Sequence, residues 1–252
     1  MARNMHAKSA ALLVSIESGL DRIMHYWLLL AGLAAALRIA LSPIPAGLQA
    51  ATVAPYLLLI FAPFASMLLA LRWFADGDRQ PQPALRLARI SAWRSIGRPE
   101  AIRHPLYGTG GIMVSLLIGM LLNVPVRAVE YLAAMPALSG PVPAWLATLH
   151  MMMTLDVVLL SSLYSIAFVA ALRRVPSFPR LLAAIWLIDL AMQFATAQIV
   201  AGTPDMPRNV AGALQPLLEG NVKKVLISIA LWLPYLLLSK RVNITFRHRL
   251  PA

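Results

Sequence analysis

The chain has no cysteine among its 252 residues. That removes disulfides, thiolate metal sites and thiol nucleophiles together. It is also poor in charge: Asp, Glu, Lys and Arg make up 13% of it, and only 10 residues are acidic. Soluble domains carry about 25% charged residues. Hydrophobic types reach 60% and the mean hydropathy is +0.72, which excludes a soluble globular domain and a disordered chain alike. Catalytic motifs are missing too. There is no Gly-x-x-x-x-Gly-Lys loop, no zinc-type His-Glu pairing and no serine nucleophile elbow. Ser161, Asp156 and His150 share one apolar stretch, but a helix would aim them in different directions. The sequence therefore nominates no catalytic residue, no metal and no cofactor.

What the chain does have is long apolar runs. A spanning helix needs about 20 mostly apolar residues. Six stretches qualify: 24–42, 52–74, 106–124, 145–171, 180–201 and 222–239. Glycines crowd the start of the third and Pro125 closes it. Lipid offers the backbone no hydrogen-bond partner, so these runs must be helices, and they lack the period-2 alternation of a barrel. The expected fold is all-α, a polytopic membrane protein with six transmembrane helices. Residues 1–75 form an N-terminal segment plus a two-helix hairpin, 76–104 a basic linker, and 105–252 a four-helix unit. Residues 9–23 read as an amphipathic helix lying on the membrane, with Leu12, Leu13, Ile16, Leu20 and Ile23 near one face. Residues 84–96 read as a surface helix carrying Arg86, Arg89, Trp93 and Arg94.

The net charge is +12. With the N-terminus placed in the cytoplasm, seventeen Lys and Arg fall on the cytoplasmic side. Five fall opposite: Arg38, Arg127, Arg208, Lys223 and Lys224. The positive-inside rule then expects both termini in the cytoplasm and a multi-pass protein of the cytoplasmic (inner) membrane. The basic residues flank apolar spans, so their expected partner is anionic lipid headgroups and not nucleic acid.

Ionisable residues at membrane depth are costly and each needs a reason. Asp156 and Asp189 lie well inside the fourth and fifth spans, at similar expected depth on neighbouring helices. Gln193 and Thr196 follow Asp189 at helical spacing and share its face. Asp156 has Met and Leu one turn away on either side, so it is expected to be protonated or paired across helices. His150 lies nearer the outer end of the same span. These groups form either a proton or cation path or a set of buried packing contacts. His150-Met151-Met152-Met153 suggests Cu(I), but consecutive helical residues point apart and Met is a common gap-filler. Gly111, Ser115, Gly119 and Asn123 recur every four residues, a small-residue stripe on which another helix can pack closely. Trp232, Tyr235, Lys240 and Arg241 read as interfacial anchors closing the last span.

Two resemblances add to this. Trp232-Leu233-Pro234-Tyr235, Ser239-Lys240-Arg241-Val242 and Thr245-Phe246 resemble the closing signature of a bacterial four-helix membrane family catalogued as domain of unknown function 2569. Arg173-Arg174 and Phe178-Pro179-Arg180 fit its layout, and the resemblance covers roughly 105–247. It implies an architecture and no activity. Separately, Arg103-His104-Pro105-Leu106-Tyr107-Gly108 is similar to the Arg-His-Pro-x-Tyr motif of isoprenylcysteine-type membrane methyltransferases. That resemblance implies S-adenosylmethionine held by Arg103, His104 and Tyr107, but the acidic stretch and later tyrosine pair of those enzymes are absent. Three functions stay open: a non-enzymatic module that packs against another membrane protein or a second copy, a small proton-linked transporter, and a membrane methyltransferase.

Overall fold

The computed structural model describes residues 2–84, 92–204 and 206–252. Eight α-helices run in order: α1 (Ala2–Ala40), α2 (Ala50–Trp73), α3 (Arg98–Arg103), α4 (Met113–Ala134), α5 (Ala144–Leu172), α6 (Phe178–Ala201), α7 (Arg208–Leu238) and α8 (Lys240–Arg247). Six of them, all but α3 and α8, are long and apolar enough to cross a membrane. The protein is a helical, multi-pass membrane protein.

α5 is the central element. It is apolar on every side and has no proline or glycine to interrupt it, and such a helix belongs in the middle of a bundle. It packs against α2, α4 and α6. One apolar cluster joins Leu20, Met24 and Met67 of the hairpin to Leu117, Leu160 and Phe168. A second, toward the other end, joins Ala31 and Tyr56 to Tyr131, Leu149 and Met152. Hairpin and four-helix unit thus share both cores.

Several boundaries differ from the sequence reading. Residues 9–23 are not a separate surface helix; they continue into α1 without a break, and Leu13, Ile16 and Leu20 pack against the core. No proline or turn separates them from the first span. α4 passes through Pro125 and ends ten residues later than expected, and α7 starts at Arg208 and passes through Pro216. Spanning helices tolerate such prolines because neighbouring groups satisfy the freed backbone. Arg127 therefore lies within a helix and not in a loop, and Lys223 and Lys224 lie mid-helix and not at the start of a span. Of the expected surface helix, residues 85–91, with Arg86 and Arg89, lie outside the described residues. Trp93–Ser95 form a short strand, β1, paired antiparallel with β2 (Arg249–Pro251).

Both chain ends meet at one end of the bundle, the basal end. Ser9 Oγ accepts from the Gly111 N–H at 3.0 Å, and Thr245 Oγ1 accepts from the Gly108 N–H at 3.0 Å. α8 turns back under α7 and satisfies its open carbonyls. Asn243 donates to Leu237 O (3.1 Å) and Ser239 O (3.0 Å), and Arg247 donates to Leu236 O (2.7 Å). A helix ends with four unpaired carbonyls, so α8 acts as a cap on α7. The α5–α6 turn closes the same end. The Val175 N–H bonds Ala170 O at 2.9 Å and the Arg174 N–H bonds Ala171 O at 3.0 Å, with Arg174 left-handed at φ 57°. This is the Schellman pattern, with Arg where Gly is usual. Gly77 packs directly on that turn: a Cβ there would stand 2.7 Å from Arg173 O.

Candidate functional site

Four helices bring polar side chains together at half-depth. α4 supplies Asn123 and Arg127, α5 Asp156 and Tyr164, α6 Asp189 and Gln193, and α7 Asn221 and Lys224. Asn123–Arg127 and Asp189–Gln193 are spaced by four residues, which puts each pair on one helix face. Asp189 is the twelfth of the 24 residues of α6, so it lies about 18 Å from either end, near the middle of a bilayer.

Arg127 is the hub. Its Nη1 donates to Asp156 Oδ2 at 2.9 Å, its Nη2 to Asp189 Oδ2, and its Nε to Asn123 Oδ1 at 2.9 Å. Its guanidinium carbon also stands 5.8 Å from the centre of the Tyr164 ring. A rigid planar fork of N–H groups holds two carboxylates and an amide oxygen at once in fixed directions. Tyr164 Oη donates to Asp189 Oδ2 at 3.2 Å, and Gln193 Nε2 to Asp156 Oδ1 at 3.1 Å. α7 closes the ring from outside. Asn221 Nδ2 donates to Gln193 Oε1 at 3.4 Å, and Lys224 Nζ donates to Asn221 Oδ1 at 3.3 Å and to Glu130 of α4 at 2.5 Å.

The two aspartates are thus neighbours, as their spacing suggested, and Asp189, Gln193 and Thr196 are all buried. Asp156 is paired across helices. The hub itself was missed. Ending the third span at Pro125 had placed Arg127 among the charges beyond the far end. The signal that could have found it is Asn123, one turn before it on an otherwise apolar helix.

The other candidates fall elsewhere. His150 belongs to a separate cluster nearer the far end: it lies 3.4 Å from Tyr131 Oη, which bonds Thr154 at 2.8 Å. The four stripe residues do different things. Gly111, at φ +67°, binds Ser9 through its N–H, and Asn123 serves the hub. Ser115 and Gly119 face outward, and nothing lies within 4 Å of where a Cβ on Gly119 would stand. Arg103, His104 and Tyr107 do not converge on a common point. His104 Nδ1 accepts from the Leu106 N–H at 3.1 Å, and the Tyr107 ring carries Arg174, whose guanidinium carbon is 5.6 Å from the ring centre. Trp232 and Tyr235 meet edge to face at 5.9 Å; Lys240 is exposed, while Arg241 reaches the Gly108 carbonyl at 3.4 Å. Among the described residues no three His, Asp or Glu are placed to hold a metal.

Two cavities flank the cluster. One, of about 620 Å³, runs between α6 and α7 and touches Gln193. The other, about 70 Å³ and half polar, lies between α4 and α7 and is bordered by Arg127, Asp189, Asn221 and Lys224. Arg127, Asp156, Asp189 and the α8 cap all fall inside the residues, 106–247, matched by the family described as Protein of unknown function (DUF2569). The chain belongs to this family. The DUF2569 match takes in α4 to α8 and leaves out the α1–α2 hairpin and the linker. No curated protein and no solved structure is detectably similar to the chain.

Proposed function

We propose that this membrane protein is a non-enzymatic module that packs against a helix of another membrane protein. The reading rests on one observation, the open face of α4. Ser115 and Gly119 leave a notch there, and about three to four turns further on Glu130 pairs with Lys224 in a bridge left largely uncovered by the chain (45% and 62% exposed). Lys224 is the seventeenth of the 31 residues of α7 and reaches the level of the Arg127 cluster. Charged groups facing lipid at that depth cost about 2.5–3.5 kcal/mol each on insertion scales. A partner helix seated in the notch would cover them. The basic residues at the basal end support a cytoplasmic location for both termini, in the cytoplasmic membrane against anionic headgroups.

The test is a photo-crosslinking residue placed at Gly119 in native membranes, with a control at Leu69 on the exposed face of α2. The expected result is one protein-sized adduct at 119 and none at 69, its mass telling a second copy from a different chain. Lipid adducts alone at both positions would sink the reading.

A second reading, a small proton-linked transporter using Asp156 and Asp189, is favoured by the excess of acid over base around Arg127. It predicts solute uptake by purified protein in liposomes, abolished in a folded Asp189→Asn variant.

A further inference from the structure

Charge does not balance at half-depth. Arg127 brings one positive charge to two carboxylates, and the next cation, Lys224, is already matched by Glu130. One negative charge is left over where an unpaired charge is costly.

The two acids are not equally able to carry it. Asp156 receives a donor on each oxygen, from Arg127 and from Gln193. Asp189 receives both its donors, Arg127 and Tyr164, on Oδ2. Its Oδ1 is buried with no partner, in a residue that is 0% exposed. Donors on a carboxylate favour its charged form, and burial without them favours the neutral acid. We infer that the cluster binds one exchangeable proton, carried on Asp189 Oδ1, and that this is a ligand site of the bundle.

The inference does not depend on the partner reading, and it supplies the coupling ion of the transporter reading. The groups facing Asp189 are Arg127 from α4, Asp156 and Tyr164 from α5, Gln193 one turn on along α6, and Asn221 and Lys224 of α7 across the cleft. The route is the 70 Å³ cleft that Asp189 borders, large enough for one or two waters. Oδ1 is sealed from water in this structure, so exchange needs the cleft to open enough to wet it; the carboxyl O–H bond then breaks, its electron pair stays on Oδ1, and the proton passes to that water. Lys224 and Glu130 border that cleft, so loss of the proton sets a fresh negative charge beside their bridge.

Infrared spectroscopy of the purified full chain tests this, because only a protonated carboxyl shows the acid C=O stretch. At neutral pH the wild type should show one such band. It should vanish in Asp189→Asn, shift in Asp189→Glu, stay in place in Asp156→Glu, and double in Arg127→Gln, where two acids lose their only counter-charge. Asn copies the shape of the neutral acid, so that variant is expected to fold; the Glu variants locate the proton if it does not. A wild type without the band, a band surviving Asp189→Asn, or a shift in Asp156→Glu instead of Asp189→Glu would overturn the inference.

Discussion

Arg127 at half-depth meets two carboxylates, whereas Arg247 at the basal end meets none. Both are enclosed by the protein, and Arg247 is only 3% exposed. Yet Arg247 is held by neutral acceptors alone, Leu236 O at 2.7 Å and Asn243 Oδ1 at 3.1 Å. Burial, with Arg249 adding its like charge, pushes the Arg247 guanidinium down to about 10 from its ordinary 12.5. The difference follows from place. At the end of α7 the unpaired carbonyls carry partial negative charge, which favours a cation, and water is near. In mid-bilayer water is out of reach, and there two full counter-charges hold the guanidinium.

The largest expected effect comes from breaking the half-depth side of this contrast. Arg127→Met leaves Asp156 and Asp189 without their cation, and removing one partner of a buried pair costs about 3–5 kcal/mol. Thermal unfolding in detergent should show it as a large drop in Tm. Adding Asp156→Asn and Asp189→Asn to the same chain should restore much of the loss, because a neutral cluster has no charge left to desolvate. An Arg127→Met protein as stable as the wild type would erase the distinction between the two arginines.

That hub also marks the limit of what sequence reading reached. The six helices were legible because apolar runs of spanning length admit little else. The Asp189–Gln193–Thr196 stripe was legible because one face of a helix repeats every three or four residues. Arg127 was not, because a charge just past a proline reads as a loop charge when the tolerance of spanning helices for proline is set aside. Lys223 and Lys224 were set at the start of the last span, whereas α7 begins fourteen residues before residue 222 and carries them at mid-helix. The β1–β2 ribbon was illegible for another reason: three residues have no periodicity, and their pairing partner lies at the other end of the chain.

At the basal end, Arg247→Met removes the donors to Leu236 O and Asn243 but strands no acid. The expected loss is smaller, about 1–3 kcal/mol for the orphaned acceptors. Measured in the same detergent, a loss equal to that of Arg127→Met would mean that carbonyls hold a guanidinium as tightly as carboxylates do. Gly77→Ala probes the packing beside this cap and not its charges. The new Cβ would meet Arg173 O at 2.7 Å and Val175 Cγ2 at 2.8 Å, and backbone cannot swing aside as a side-chain tip can. Overpacking of this kind costs about 1–3 kcal/mol. A Tm unchanged by Gly77→Ala would show that the α5–α6 turn yields, and that the basal end is looser than its hydrogen bonds imply.

The smallest effect should come from Tyr107, and its sign sharpens the contrast further. Its hydroxyl is buried with no partner, while its ring carries Arg174. Burial pushes the phenol above its ordinary value of 10.0, against the lowering pull of the Arg174 guanidinium. Tyr107→Phe keeps a ring for the cation and deletes an unpaired group, so near neutral pH the stability should change by less than about 0.5 kcal/mol. Above pH 10 the two proteins should separate. There the unfolded chain releases the phenolic proton and the folded chain keeps it, so the folded state binds more protons and the wild type loses stability as pH rises. That loss begins at the unfolded value and ends once pH passes the raised folded value. The Phe variant lacks it, so the difference between the two stability curves isolates Tyr107 from every other tyrosine. Parallel curves would mean that the hydroxyl reaches water in solution. A variant clearly less stable at neutral pH would mean that the hydroxyl has a partner, and that the basal end, unlike the Arg127 cluster, leaves no buried oxygen unpaired.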